Sequence, residues 1–387
     1  MRKYLALMNA GKANSWHRFL LARFNADYIM KFPTAREIKQ AFRDLSIPET
    51  TDTAIDASNP ERENERRMNE VYSRILGEIR KQHRNIQNYV FRALSWIGYA
   101  TRTLTKQELL AAISVEANQY QLDDSDVIAF EDLLDYCNGL VIADGKDVRL
   151  VHFSVRNYLD RYQVIPENAE ETYRAIACST YLSFDRLKGY HCDLSEDDND
   201  IERNLPFLDY AANNLTFHLS KVEPRHFPET TSAVMELLAH EGHRCAYCKA
   251  NNGIGVPLDM PRFNLACAIG YDDAVRTLLE EGNVDVNAKG STSGLTPLSW
   301  AVLMGYEVVI KRLLGEDKVD RSCDGSMPLS LAIGRGETGI VRLLLEKNVE
   351  VNFTYDKVSQ SGYSRPQCYP FVGANLRKLE PCISVQT

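Results

Sequence analysis

Nowhere in this 387-residue chain do about 18 apolar residues run together, so no membrane-spanning helix is expected. A basic surplus is missing too: 45 Lys and Arg stand against 53 Asp and Glu, a formal charge of -8. Nucleic-acid binders need a basic footprint, so direct contact with DNA or RNA is not expected. Behind Arg2 and Lys3 only Tyr4 to Met8 is apolar, shorter than the roughly 7–15 residues of a secretory core, so no leader is read. Nine cysteines, odd in number and irregularly spaced, make no disulfide framework and fit reduced thiols. The expected compartment is the cytoplasm. Catalytic signatures are also lacking. There is no G-x-x-x-x-G-K-[ST], and the stretch Gly139 to Lys146 has the wrong spacing for one. Gly290 to Gly294 has Thr292 where a nucleophile elbow needs serine. The expectation is a protein that is not an enzyme and carries no cofactor.

What is present is mainly helical pattern. Segment 1–48 carries Phe19, Leu20, Phe24, Tyr28 and Ile29, then Ile38, Ala41, Phe42 and Leu45, at helical spacing. Between 60 and 165, Val71, Ile75, Leu76 and Ile79, followed by Ile86, Val90, Leu94 and Ile97, predict two amphipathic helices. Thr105 and Glu108 read as a capping box opening a helix over 108–115, and a further helix over 126–137 ends at Asn138-Gly139. Asp144-Gly145 between Leu140–Ala143 and Val148–Phe153 predicts one β-hairpin. Helices followed by a hairpin make 60–165 a winged-helix-like unit by the order of its elements. Segment 166–255 reads as a helical linker interrupted by an acidic loop, Asp193 to Glu202, and 354–387 as an irregular tail.

From 256 to 353 the chain repeats itself. Glycines fall at 270, 305 and 336, spacings of 35 and 31, and each is followed at eight and nine residues by a leucine pair: Leu278-Leu279, Leu313-Leu314, Leu344-Leu345. Ala266, Ala301 and Ala332 stand four residues before those glycines, where paired helices must approach closely. Thr296 is placed to cap a helix whose first turn holds Pro297, a position where the missing N–H costs nothing. This pattern resembles the ankyrin repeat, in about three copies, and implies an α-solenoid. Arg262 and Met327 depart from the pattern, standing where the first unit's Pro and the last unit's Thr are expected. The full expectation is a mainly α chain: a winged-helix-like unit, a helical linker, then an ankyrin stack.

A wider resemblance rests on stretches spread over the chain. Phe19-Leu20-Leu21-Ala22-Arg23, Val71-Tyr72-Ser73-Arg74-Ile75-Leu76, Ala93-Leu94-Ser95-Trp96-Ile97 and Leu104-Thr105-Lys106-Gln107-Glu108-Leu109 are similar to segments of fungal NACHT–ankyrin proteins of the STAND, or NLR-like, class. The most specific are Cys137-Asn138-Gly139-Leu140-Val141 and Val151-His152-Phe153-Ser154-Val155-Arg156-Asn157-Tyr158-Leu159. The middle unit resembles the winged-helix domain named after GPI inositol-deacylase, without transfer of that activity. The resemblance implies the relay and sensor parts of a signalling receptor, without its NTPase motor.

Candidate sites follow from residue chemistry. His240, His243, Cys245 and Cys248 bring together imidazoles and thiols that zinc prefers, but crowded and without H-E-x-x-H spacing; the competing reading is a polar connector. His152 with Ser154 reads as a strand-end histidine beside a helix-capping serine rather than a catalytic pair. The glutamates interleaved among Arg62 to Arg92 read as an ion-paired helix face. Trp96 and Trp300 read as core residues. Protein contact is expected at the turns and inner helices of the array: Lys289, Ser291, Thr292, Ser299, Leu303, Met304, Asp324, Ser330 and Arg335, with Leu303 and Met304 exposed among polar neighbours. The expected function is a scaffold that holds another protein. The alternative is an ankyrin-repeat transcription coregulator that acts in the nucleus through a DNA-binding partner.

Overall fold

The computed structural model describes residues 20–26, 30, 34, 36–37, 40, 60–165, 167–190, 204–223, 227–251, 257–290, 293–320 and 327–347. The acidic loop, the tail from 354 and most of segment 1–48 lie outside them. The described residues are mainly helical, with one small sheet, and the chain divides into two compact units. One comprises Met1–Lys106 and Ile128–Ile165; the other comprises Gln107–Val127 and Pro166–Thr387.

The first unit is built on α1 (Pro60–Ile79) and α2 (Arg84–Tyr99). Met68, Val71, Tyr72, Ile75, Leu76 and Ile79 of α1 recur every three or four residues and are all buried, the stripe a helix needs to dock. Val90, Ala93, Leu94 and Trp96 do the same on α2. Leu104–Thr105 forms a short strand, β1; α3 (Lys106–Ser114) starts directly after it and from Gln107 on belongs to the second unit. Then come α4 (Phe130–Tyr136), β2 (Val141–Asp144), β3 (Asp147–Leu150) and α5 (Phe153–Arg161). The antiparallel sheet has the order β1-β3-β2. Asp144 pairs with Asp147, leaving Gly145-Lys146 as a two-residue turn, and Gly145 takes the positive φ (+65°) such turns demand. Two differences from expectation have local causes. β1 is only two residues long and leaves no periodic signal. β3 ends at Leu150 rather than 153, because His152 already serves as the N-cap of α5.

In the second unit α6 (Glu167–Tyr181), α7 (Leu208–Leu219), α8 (Phe227–Ala239) and α9 (Glu241–Ala250) lead into three helix pairs. These are α10 (Arg262–Ile269) with α11 (Asp272–Glu281), α12 (Pro297–Met304) with α13 (Glu307–Gly315), and α14 (Met327–Arg335) with α15 (Thr338–Glu346). The inner helices α10, α12 and α14 pack in a row, and α11 packs on α13. The stack does not begin at α10, since α8 packs on both α10 and α11 and α9 packs on α10. The linker therefore covers the edge of the first pair, which a solenoid must protect from water.

Between α6 and α7 lies a buried polar cluster. Arg174 donates to Glu171 (2.8 Å), His218 Nδ1 lies 3.0 Å from the same carboxylate, and His218 Nε2 lies 3.1 Å from the Tyr210 hydroxyl. Burial pushes the Glu171 carboxyl up, but hydrogen bonds from His218 and Arg174 outweigh it and hold it down at about 2. Burial lowers the affinity of His218 for a second proton, against the pull of Glu171. The consistent state is a carboxylate between a guanidinium and a neutral imidazole that donates from Nδ1 and accepts from Tyr210.

Candidate functional site

Each helix pair of the array is set by local chemistry. Thr296 Oγ1 accepts the N–H of Ser299 at 3.2 Å and caps α12, with Pro297 in the first turn. Gly270, Gly305 and Gly336 end the inner helices at φ +79°, +83° and +73°, the left-handed region that glycine enters without cost. Leu278, Leu313, Leu314, Leu344 and Leu345 are buried between the helices, while Leu279 is half-buried.

Polar ties then join one pair to the next. Arg312 of α13 grips Asp272 of α11 through two nitrogens, Nε reaching Oδ1 at 2.5 Å. Asn287 donates to the carbonyl of Lys318 (2.8 Å) and accepts from the N–H of Asp320 (2.8 Å), linking successive turns. Asn264, fully buried in α10, donates to the carbonyls of Ala288 (2.9 Å) and Leu295 (3.2 Å) and clamps the base of the turn between them. The tyrosines after the first two glycines reach back to the linker. Tyr271 bonds Thr231 of α8 at 3.4 Å, and Tyr306 bonds Thr216 of α7. Nothing local in the sequence around Asn287 announces that it ties two turns together.

The residues expected to touch a partner are placed unevenly. Lys289 and Arg335 are exposed. Leu303, Met304 and Ser330 are half-buried, so the two apolar side chains are less open than expected. Ser299 is a correction: it is buried, 1% exposed, and bonded to Thr296 inside the cap, which removes it from any contact surface. Ser291, Thr292 and Asp324 lie outside the described residues. Equivalent positions show a gradient along the stack. Before each terminal glycine stand Ile269, buried, then Met304, half-buried, then Arg335, exposed. Ser299 is buried where Ser330 is half-buried. The inner face thus opens from the first pair toward the third.

The expected metal ligands do not assemble. They sit on α9, a helix rather than a polar connector, with His243, Cys245 and Cys248 buried and His240 exposed at its start. The ring nitrogens of His243 face the backbone carbonyls of Glu236 (3.4 Å) and Phe184 (3.2 Å). Among the described cysteines Cys137, Cys178, Cys248 and Cys267 are free, as the expectation of reduced thiols has it, and Cys245 departs from it in being disulfide-bonded. Burial pushes the Cys248 thiol up to about 12. Among the described residues no three His, Cys, Asp or Glu are grouped to hold an ion. Gly242 explains why α9 lies so close to its neighbours: a Cβ there would come within 2.1 Å of the carbonyl of Leu187.

The pair His152 and Ser154 also differs from expectation, because the histidine and not the serine is the cap. Trp96 and Trp300 are fully buried core residues, as expected. On α1 and in the turn after it, interleaved charges pair with one another, Arg66 with Glu70 (2.5 Å) and Lys81 with Glu78 (2.7 Å).

Residues 263–355 match the family described as Ankyrin repeats, in three copies. No curated protein and no solved structure matches the chain.

Proposed function

We propose that this chain is a non-enzymatic scaffold that takes a protein partner on the inner face of its second and third ankyrin repeats. The carrying observation is the gradient of exposure along that face. The first repeat is covered by the helices before it, whereas Met304, Leu303 and Ser330 are partly open and Arg335 is exposed. Half-exposed apolar groups rimmed by charge are what a protein interface uses. The linker helices bond to the repeats through Tyr271 and Tyr306, which suits a part that relays what the repeats sense. Together with the likeness of its sequence to NLR-type receptors, this supports a role as the relay and sensor portion of a signalling or recognition protein in the cytoplasm.

The test uses the full chain as bait, with and without Lys289→Glu plus Arg335→Glu. A direct partner is expected to be retained about tenfold less by the double variant, at unchanged circular dichroism. Equal retention of every captured protein by both forms overturns the assignment of this face. The absence of a phosphate cradle in the sequence leads to a second expectation, that the chain does not bind ATP; tight binding would restore the motor reading.

A further inference from the structure

Helix N-caps are mostly Ser, Thr, Asp or Asn, whose oxygens accept the orphan N–H groups of the first turn. α5 instead uses a ring nitrogen: Nδ1 of His152 accepts the backbone N–H of Ser154 at 3.3 Å. A backbone N–H can only donate, so Nδ1 carries a lone pair and the ring proton sits on Nε2. The direction of the neighbouring bonds follows. Ser154 Oγ lies 2.7 Å from that same Nδ1, so its hydrogen points to the ring. The Tyr72 hydroxyl lies 2.7 Å from Ser154 Oγ, and with the serine donating away, the tyrosine donates to it. A directed chain thus runs from Tyr72 through Ser154 to His152, from the buried face of α1 to a half-exposed imidazole. Tyr72 is held between the rings of Phe24 (6.1 Å) and Tyr158 (5.5 Å). Burial pushes its phenol up to about 12, against the bond to Ser154, so it keeps its hydrogen.

We propose that His152, Ser154 and Tyr72 form an acid-sensitive latch fastening the start of α5 to α1. A second proton on the imidazole turns Nδ1 from acceptor to donor. Ser154 N–H then loses its acceptor, and the serine hydroxyl must turn round. The buried Tyr72 hydrogen is left aimed at an oxygen that now donates toward it. The imidazolium also faces the positive end of the α5 dipole. All of these act in one direction, toward release.

Among the described residues, the elements packed against α5 bring further titratable and charged groups. From α1, Glu65 pairs with Arg161 at the far end of α5 (2.6 Å). From β3 come Asp147 and Arg149, the latter paired with Asp144 (2.9 Å). Tyr99 of α2 bonds Asp160 and lies beneath Arg156. α2 offers an internal comparison, because His83 caps it in the same way, accepting the N–H of Asn85 at 3.4 Å. No serine–tyrosine chain stands behind His83 among the described residues.

The test is hydrogen exchange on the full chain at pH 7.5 and 5.5, corrected for the intrinsic pH dependence, since a free imidazole gains its proton near pH ~6.5. Opening at residues 153–157 is expected to rise about fivefold at the lower pH, the equivalent of losing one cap. His152→Asn supplies an oxygen that accepts the same N–H without titrating, and is expected to abolish the rise. Tyr72→Phe keeps the cap but breaks the chain, and is expected to reduce it. A rise that survives His152→Asn, or no rise in the parent protein, overturns the latch. Nitrogen chemical shifts of His152 in the parent protein give an independent check even if a variant fails to fold. Nδ1 is expected to be the unprotonated nitrogen at pH 7.5, and finding Nε2 in that role refutes the proposal.

Discussion

Replacing Gly270 by alanine probes how tightly the array is closed, and Gly305→Ala provides the matched control. Both glycines end an inner helix in the left-handed region, at φ +79° and +83°. Alanine there costs about 1–2 kcal/mol from the backbone alone. Their surroundings differ. A Cβ on Gly305 meets nothing within 4 Å, whereas one on Gly270 would lie 2.3–2.4 Å from the Tyr306 ring. Ordinary contact begins near 3.4 Å, so the ring must retreat by more than an ångström. It cannot do so freely, because its hydroxyl is bonded to Thr216. Losing that bond adds about 1 kcal/mol and overpacking adds about 1–3 kcal/mol. Gly270→Ala is therefore expected to cost about 3–6 kcal/mol and Gly305→Ala about 1–2 kcal/mol. Urea unfolding of the full chain, followed by exchange protection in 262–315, reads the difference. Adding Tyr306→Ala should bring the cost of Gly270→Ala down to that of Gly305→Ala. Equal costs for the two glycine variants in the parent background would refute the argument, since the ring contact is what separates them.

Three further predictions concern charge. Glu171 and His218 both titrate below their ordinary values in the folded protein, so the unfolded chain binds more protons and stability falls on acidification. The loss is expected to begin below about pH 6.5 as unfolded histidine takes its proton, and to continue until Glu171 protonates in the folded state. Thermal unfolding from pH 7.5 to 3 measures it, and an unchanged profile in His218→Gln between pH 7 and 5 would remove His218 from the account. Glu171→Gln removes the negative charge that buried Arg174 pairs with and is expected to cost about 3–5 kcal/mol in the same assay. Arg312 and Asp272 are both about three-quarters covered and paired through two nitrogens. A double-mutant cycle to alanine is expected to give a coupling of about 1–2 kcal/mol, and strict additivity would show that the pair does not join the second repeat to the first.

Much of the array was legible because its signals are local. A cap, a proline in the first turn and a terminal glycine act on residues within one helical turn, so Thr296, Pro297 and Gly305 announce α12 without knowledge of anything else. Gly145 announced its hairpin for the same reason. The errors share an opposite cause. Leu303 and Met304 looked open because helix geometry places them on the inner face, yet how far α10 and α14 cover that face is not written near them. Ser299 looked like surface because serine usually is, but a hydroxyl can be buried once Thr296 takes its bond. Two histidines and two cysteines looked like zinc ligands because composition carries no direction; His243 is drawn into carbonyl contacts, Cys245 and Cys248 are buried in the core, and His240 is left exposed.

The amino-acid order by itself determined where helices start and stop, where the chain turns, and that the last third repeats. Those choices depend on hydrogen bonds and backbone angles spanning a few residues. Only the tertiary structure decided which groups are covered, and by what. Glu171 meets His218 across 47 positions, Tyr72 meets Ser154 across 82, and Asn287 meets Asp320 across 33. Such contacts arise when distant segments give up water to pack together, and no short window of sequence encodes the far partner.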